Sequence, residues 1–289
     1  NRGGSKGNNT IQKDYFLPSL NLKYNLNDKN SFRLGVSKTY TLPQAKEISP
    51  YRYVGVNFNS QGNPNLKPSD NYNLDLKWDF NPTPTELISL TAFYKLIKNP
   101  ISRIEVASAG GYLSYENIAD KATVAGVEIE IRKNLFVRPV SNAAHGMNKL
   151  SLGLNGSYIY TNAKMPLATV TTGSQLEGAA PWIVNFDLSH NFTKGERSFV
   201  NTLVLNYVSD KIYTIGTQGY QDMMEQGVLT LDFVSQAKLN KHLSLNLKAR
   251  NLLNPSYKLS RKANENGEKV ILNDYKKGIN ISLGVSCTF

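Results

Sequence analysis

The sequence predicts an all-β fold, an antiparallel transmembrane β-barrel, on three observations. Apolar residues recur with a period of two along almost the whole chain, and no stretch holds the helical i, i+3, i+4, i+7 pattern beyond about two turns. The connections between the alternating segments are short and long by turns. The last segment alternates to its end: Ile279, Ile281, Leu283, Val285, Cys287 and Phe289 are apolar, while Asn280, Ser282, Gly284, Ser286 and Thr288 are small or polar. A period of two puts these sets on opposite faces of a strand, and the run has the length a tilted strand needs to cross a hydrocarbon core.

The segments are justified one by one. Leu20, Leu22, Tyr24 and Leu26 share a face against Asn21, Lys23 and Asn25, and the polar turn Asn27-Asp28-Lys29-Asn30 follows. Phe32, Leu34 and Val36 oppose Arg33, Gly35 and Ser37. A long loop then leads to Tyr72, Leu74, Leu76, Trp78 and Phe80, against Asn73, Asp75, Lys77 and Asp79. The turn Asn81-Pro82-Thr83-Pro84 cannot continue a ladder, since proline has no amide donor. Ile88, Leu90, Ala92, Tyr94 and Leu96 form the fourth apolar face. After a second long loop, Ala125, Val127, Ile129 and Ile131 alternate with Gly126, Glu128, Glu130 and Arg132. A connection of medium length, Lys133 to Asn148, reaches Leu150, Leu152, Leu154, Tyr158 and Tyr160. A third long loop precedes Trp182, Val184, Phe186 and Leu188, and a turn at Lys194-Gly195 leads to Phe199, Leu203, Leu205 and Tyr207. A fourth long loop leads to Leu229, Leu231 and Phe233. Asn240-Lys241-His242 then turns into Leu243, Leu245 and Leu247, and a last long loop returns to the final strand.

A membrane barrel has short turns on the periplasmic side and long loops outside. With the end of the chain periplasmic, the last strand runs inward and every short turn falls on that side. Lipid offers no hydrogen bonds, so such a sheet must close on itself. Eleven segments are an odd number, whereas bacterial single-chain barrels have even ones. Residues 1–289 are therefore expected to form the carboxyl-terminal part of a barrel of about twenty-two strands, the size of plugged transporters. The polar, Gly-rich opening NRGGSKGNNT reads as the middle of a loop, so the chain is expected to be a piece of a longer precursor.

Composition agrees with this reading. The hydrophobic content is 40% and the mean hydropathy −0.37, because alternating strands average their two faces. Sixteen Tyr and eleven Phe suit strands and interfacial girdles, for which Trp78, Tyr158, Tyr160 and Tyr207 are candidates. A single cysteine, Cys287, excludes an intrachain disulfide and a cysteine zinc site. The three histidines, His145, His190 and His242, share no ligand spacing, so no metal site and no cofactor is expected. The net charge of +11 is spread over loops, turns and polar strand faces, against a nucleic-acid partner.

Three stretches, in order, carry a family resemblance. GNPNLKPSDNYNLDLKW (Gly62–Trp78), YENIADKATVAGVEIEI (Tyr115–Ile131) and LKARNLLNPSY (Leu247–Tyr257) resemble the late-barrel motifs of TonB-dependent outer-membrane receptors, and the terminal phenylalanine completes the pattern. The asparagine-rich style resembles receptors of the Bacteroidetes type, including the SusC-like ones that pair with a surface lipoprotein. The resemblance implies an energised importer in the bacterial outer membrane. Its plug blocks the pore, and its TonB box couples to the inner-membrane TonB motor; neither part can be assigned to residues here. It implies outer-membrane lipids as surroundings. It also implies an assembly signal read by the insertion machinery, carried by Ile281, Leu283, Val285 and Phe289.

The residues themselves offer no catalytic constellation. Glu128 and Glu130 share a strand face as paired acids of a glycosidase would, but with Arg33 and Arg132 they read as lumen-facing charges. The candidates for binding are loop aromatics, Tyr51, Tyr53, Tyr213 and Tyr220, with Arg52 between the first two suited to a polar ligand. The expected function is TonB-dependent import of a nutrient. A secretion or surface-assembly scaffold and a soluble all-β binding module are the alternatives.

Overall fold

The computed structural model describes residues 14–106, 111–140, 146–165, 175–263 and 267–288. In chain order, β1 (Ser19–Asn25) and β2 (Asn30–Thr41) form a hairpin. The first long loop carries α1 (Ala45–Ile48), β3 (Arg52–Tyr53) and β4 (Ser60–Gln61). β5 (Ser69–Phe80) and β6 (Leu87–Lys98) form the second hairpin. β7 (Ile101–Val106) and β8 (Tyr112–Asn117) lie in the next loop, before β9 (Lys121–Pro139) and β10 (Met147–Ala163). β11 (Trp182–Lys194) and β12 (Arg197–Val208) follow, then the short β13 (Lys211–Thr214) and β14 (Met223–Glu225). β15 (Val228–Lys238) and β16 (Leu243–Arg250) precede β17 (Ser256–Lys262), β18 (Lys269–Lys276) and β19 (Asn280–Cys287).

The eleven segments read from the alternation are the eleven strands of one antiparallel sheet, ordered β1-β2-β5-β6-β9-β10-β11-β12-β15-β16-β19. We call this sheet the wall; across the described residues it is open, with β1 and β19 at its edges. Register keeps like faces together. Leu34, Leu76, Ala92, Val127, Tyr158 and Trp182 are successive partners across six strands. On the other face Arg33, Lys77, Thr91, Glu128 and Ser157 line up in the same way. The apolar face is not covered by protein: Ile281 is 68% and Leu283 72% exposed.

The buried apolar side chains lie almost wholly in the long connections. Ile104, Ile118, Ala119, Leu176, Ile212 and Ile215 pack with Ala122 and Ala163 into one core, and Leu113, Met223 and Leu259 make a second cluster. The connections read as long loops carry a folded cap built from two four-stranded sheets, β3-β4-β8-β7 and β13-β14-β17-β18. Ile97 and Val124 of the wall pack against the cap core from positions in register with its polar face. The cap therefore folds over the polar side of the wall, away from the apolar face.

The short turns use the expected chemistry. Asn27 Oδ1 accepts hydrogen bonds from the Lys29 and Asn30 amides at 3.0 and 2.8 Å. Asn240 Oδ1 does the same for His242 and Leu243, both at 2.9 Å. Gly195 closes the β11–β12 turn at φ +59°, where a Cβ is disfavoured. One connection departs from expectation. Strands β9 and β10 run on to Pro139 and back from Met147, and the Val140 amide bonds the Gly146 carbonyl at 3.1 Å. The connection expected to run from Lys133 to Asn148 shrinks to residues 140–146, one residue longer than the 81–86 turn. Its alternation was hidden by a bulge: Asn134 faces Ser151 and Phe136 faces Leu150, leaving Leu135 extra. One inserted residue reverses the face of everything after it.

Candidate functional site

Strand β7 organises the cap. Its period of two buries Ser102 and Ile104 and turns Arg103 and Glu105 the other way. It also stitches the two cap sheets together. The Glu105 amide donates to the Ile215 carbonyl, and the Ile215 amide to the Arg103 carbonyl, both at 3.1 Å. Arg103 Nη2 lies 2.7 Å from Glu177 Oε1, and the Arg103 amide donates to Glu177 Oε2 at 2.5 Å. The Arg103 guanidinium also sits 4.0 Å from the centre of the Tyr213 ring, a distance at which the ring face attracts a cation. Two residues on, Glu105 is ion-paired with Arg261, whose guanidinium lies 5.3 Å from the Tyr220 ring centre. One short strand thus clasps three further loops through alternating charges.

Beside this clasp is a cleft of about 620 Å³, lined by residues of both cap sheets and the first loop. Phe58, Leu113, Tyr115, Tyr213, Tyr257 and Tyr275 supply its aromatic and apolar surface; Lys46, Arg103, Lys258 and Glu225 supply charge. Tyr257 and Tyr275 are stacked at 5.5 Å, and Lys277 lies 3.8 Å from the Tyr257 ring centre. Glu225 is held by Lys211 at 3.3 Å. Arg103 Nε is buried without a hydrogen-bond acceptor among the described residues. Burial raises the Tyr115 phenol above its ordinary value, with Glu47 and Glu177 adding to the rise and Arg103 opposing it. Lys258 lies 3.9 Å from Asp274, so the cleft can hold a polar molecule between rings, with Lys46 as its cation outside these ion pairs, while Tyr115 stays a neutral hydroxyl.

Of the aromatic loop residues singled out from sequence, the structure puts Tyr213 in the cleft and Tyr220 on the neighbouring Arg261. Arg52 and Tyr53 form β3, next to β4. The Arg52 guanidinium lies 5.8 Å from the Tyr112 ring centre, Lys46 lies 5.5 Å from the Tyr53 ring centre, and Tyr51 is 67% exposed. The first-loop cluster is thus joined to the cleft through Lys46. Arg103, Tyr115, Tyr257 and Tyr275 were not singled out. Their signal was alternation inside the long connections, as in Tyr257-Lys258-Leu259, which reads as strand only once a partner strand is known.

The wall charges Arg33, Glu128, Glu130 and Arg132 stand on the polar face; Arg33 is 3.5 Å from Asp79, and Arg132 2.7 Å from Glu130. Ile281, Leu283 and Val285 lie on the apolar face opposite Ala249, Leu247 and Leu245. Phe289 and His145 lie outside the described residues. His190 bonds Asn148 at 2.8 Å and His242 Nδ1 bonds the Thr288 carbonyl at 2.7 Å, so each serves a strand end or turn.

Residues 1–252 match the family described as TonB dependent receptor-like, beta-barrel. The chain is 25% identical over 240 residues to an iron-regulated outer membrane virulence protein of Vibrio cholerae, covering 80% of this chain and 34% of that protein. It is similar in structure to the ferric yersiniabactin uptake receptor of Yersinia pestis, with a TM-score of 0.60 at 16% identity over 94% of this chain and 37% of that one. It is likewise similar to a copper transporter, OprC, with a TM-score of 0.63 at 13% identity over 94% and 40%. The chain thus spans about a third of the length of the curated relative and about two fifths of the solved chains.

Proposed function

Because the chain belongs to the TonB-dependent receptor-like β-barrel family of the bacterial outer membrane, we propose that it forms the wall and extracellular cap of an energised nutrient importer. The cargo class we assign is a net-negative, ring-bearing metal chelate. The observation that carries this is the cap cleft, where Lys46, Arg103 and Lys258 stand among Tyr115, Tyr213, Tyr257 and Tyr275. A guanidinium and stacked rings bind planar anions through charge-assisted hydrogen bonds and ring contacts. The iron-regulated relative and the uptake receptor for ferric yersiniabactin support a metal-chelate cargo. The copper transporter shares the fold, so the cargo class rests on the cleft and not on fold alone.

The wall contributes by position. Its apolar face solvates it in lipid, its polar face with Arg33, Glu128, Glu130 and Arg132 bounds the path, and the cap lies over that path. Transport then requires the inner-membrane TonB motor, acting through parts of the protein outside this chain.

Uptake by cells expressing the full-length protein tests this reading, with labelled ferric catecholate, cobalamin and oligosaccharide as probes. The ferric chelate should accumulate only with a functional TonB motor, and Arg103→Ala with Tyr213→Ala should weaken its binding at least about tenfold. Accumulation that persists without the motor would sink the energised importer. Uptake confined to cobalamin or oligosaccharide would sink the cargo assignment alone.

A further inference from the structure

The end of the wall nearest the cap carries lysines on the wrong face for cargo. Ile97, Ala122 and Ala163 turn inward to the cap core. Their chain neighbours Lys98 and Lys121 therefore stand on the opposite side, the apolar face; Lys164 follows the last residue of β10, and all three are exposed. Lys98 and Lys121 are direct partners in the β6–β9 ladder, a like-charge pairing that destabilises a sheet. On its other side Lys98 lies opposite Asp70 of β5, so Lys121 is the amine of the pair with no carboxylate across from it in the ladder. Lys38 stands on the same face: its amine and that of Lys98 lie 5.5 and 5.4 Å from the centre of one ring, Tyr72.

The level of this cluster is fixed by its surroundings. Tyr72 lies within the cluster, opposite Lys38; Tyr94, Tyr158, Tyr160 and Trp182 occupy the same face on the membrane side of it, with Tyr158 and Trp182 in contact at 4.6 Å. Such rings mark the interface between hydrocarbon and headgroups. Lysines just beyond them reach the headgroup layer. Carboxylates are present too. Asp70 lies 3.7 Å from Lys38, and Glu116 and Asp120 share with Lys67 and Lys164 a hollow of about 340 Å³. Five amines thus face three carboxylates.

We infer that Lys98, Lys121 and Lys164, with Lys38 beside Tyr72, form a docking surface for the phosphate groups of a lipid in the outer leaflet. The lipid, not free phosphate, is the occupant because the cluster continues into an exposed apolar track on its own face. From Lys98 the track runs through Leu96, Tyr94 and Ala92, about 20 Å at roughly 3.4 Å per residue, a length that suits an acyl chain. At its far end Ala92 borders an apolar hollow of about 420 Å³ with Leu34, Leu76 and Leu90. The cargo cleft is separate from this surface, since its lining residues all belong to the cap and none to the wall.

The test uses the full-length protein in detergent, with bis-phosphorylated lipid A, the same lipid enzymatically dephosphorylated, and inorganic phosphate as probes, read by native mass spectrometry. The phosphorylated lipid should bind at least about tenfold more tightly than the dephosphorylated one. Lys98→Gln/Lys121→Gln/Lys164→Gln should abolish that difference, and the matching triple Arg variant should keep it. Millimolar inorganic phosphate should not displace the lipid. Equal binding of the two lipids, an unaffected Gln variant, or displacement by free phosphate would overturn the inference. The Gln variant's heat-shifted mobility in detergent gels verifies that its barrel is intact. Should it fail to fold, Lys98→Gln alone is expected to lower the phosphorylated lipid's affinity at least about threefold, and no change there would equally overturn the inference.

Discussion

Leu283 is 72% exposed and lies opposite Leu247 on the apolar face, while its chain neighbour Ser282 faces the polar side opposite Lys248. Leu283→Lys should therefore cost about 2–4 kcal/mol near the bilayer midplane, and Ser282→Lys much less; urea unfolding in lipid vesicles compares them, and equal losses would contradict the face assignment. Gly126 makes a different demand. A Cβ there would crowd the Phe93 ring and lie 2.5 Å from the Tyr158 carbonyl oxygen, and that backbone oxygen cannot step aside. Gly126→Ala should cost about 1–3 kcal/mol by overpacking, measured in the same unfolding assay. Glu116 sets a pH dependence. Its carboxyl is raised by burial, so its ionisation opposes folding: stability is fully present below the unfolded-state value and declines as pH rises through the raised one. Glu116→Gln should remove that decline and make the cap more protease-resistant at neutral pH than the parent; identical digestion profiles at pH 4 and pH 7 in both proteins would count against it.

Elements divide by the solvent they meet. Wall strands bury almost no apolar side chain because hydrocarbon solvates them, whereas the cap meets water and must build its own core around Ile104, Ile212 and Ile215. Ile215 is 1% exposed, so Ile215→Ala should cost the cap about 2–5 kcal/mol. The loss should appear as faster proteolysis of the loops with the heat-shifted gel mobility of the barrel unchanged. A simultaneous loss of both would mean that wall and cap are one cooperative unit. The clasp through β7 ties the cleft to this core, since Arg103 and Glu105 flank the buried Ile104. A change that loosens the core should thus weaken cargo binding without touching a cleft residue.

At the scale of the molecule, three faces do three things. The apolar face meets lipid, the polar face carries the wall's charges, and the cap folds over that polar side with its own sheets. The strand order was legible because each wall strand follows its neighbour in sequence and pairs with it, leaving no crossover to infer. The β9–β10 end was not, because the bulge at Leu135 reverses the period for every residue beyond it. The cap was not legible either: its strands are two to eight residues long, and β4 meets β8 from another loop in a parallel contact across fifty residues.

The division has one physical origin. Alternation is a local property, since neighbouring side chains leave a strand on opposite sides whatever the partner. By itself, therefore, the sequence determined eleven wall strands, their two faces and the membrane setting. Convergence is not local. That Arg103 meets Glu177 and Tyr213, that Glu105 meets Arg261, and that Lys98 stands opposite Lys121 depend on register and loop packing between segments far apart in the chain. Only the tertiary structure decided where the cleft is, which charges close around it, and which lysines turn outward to the lipid.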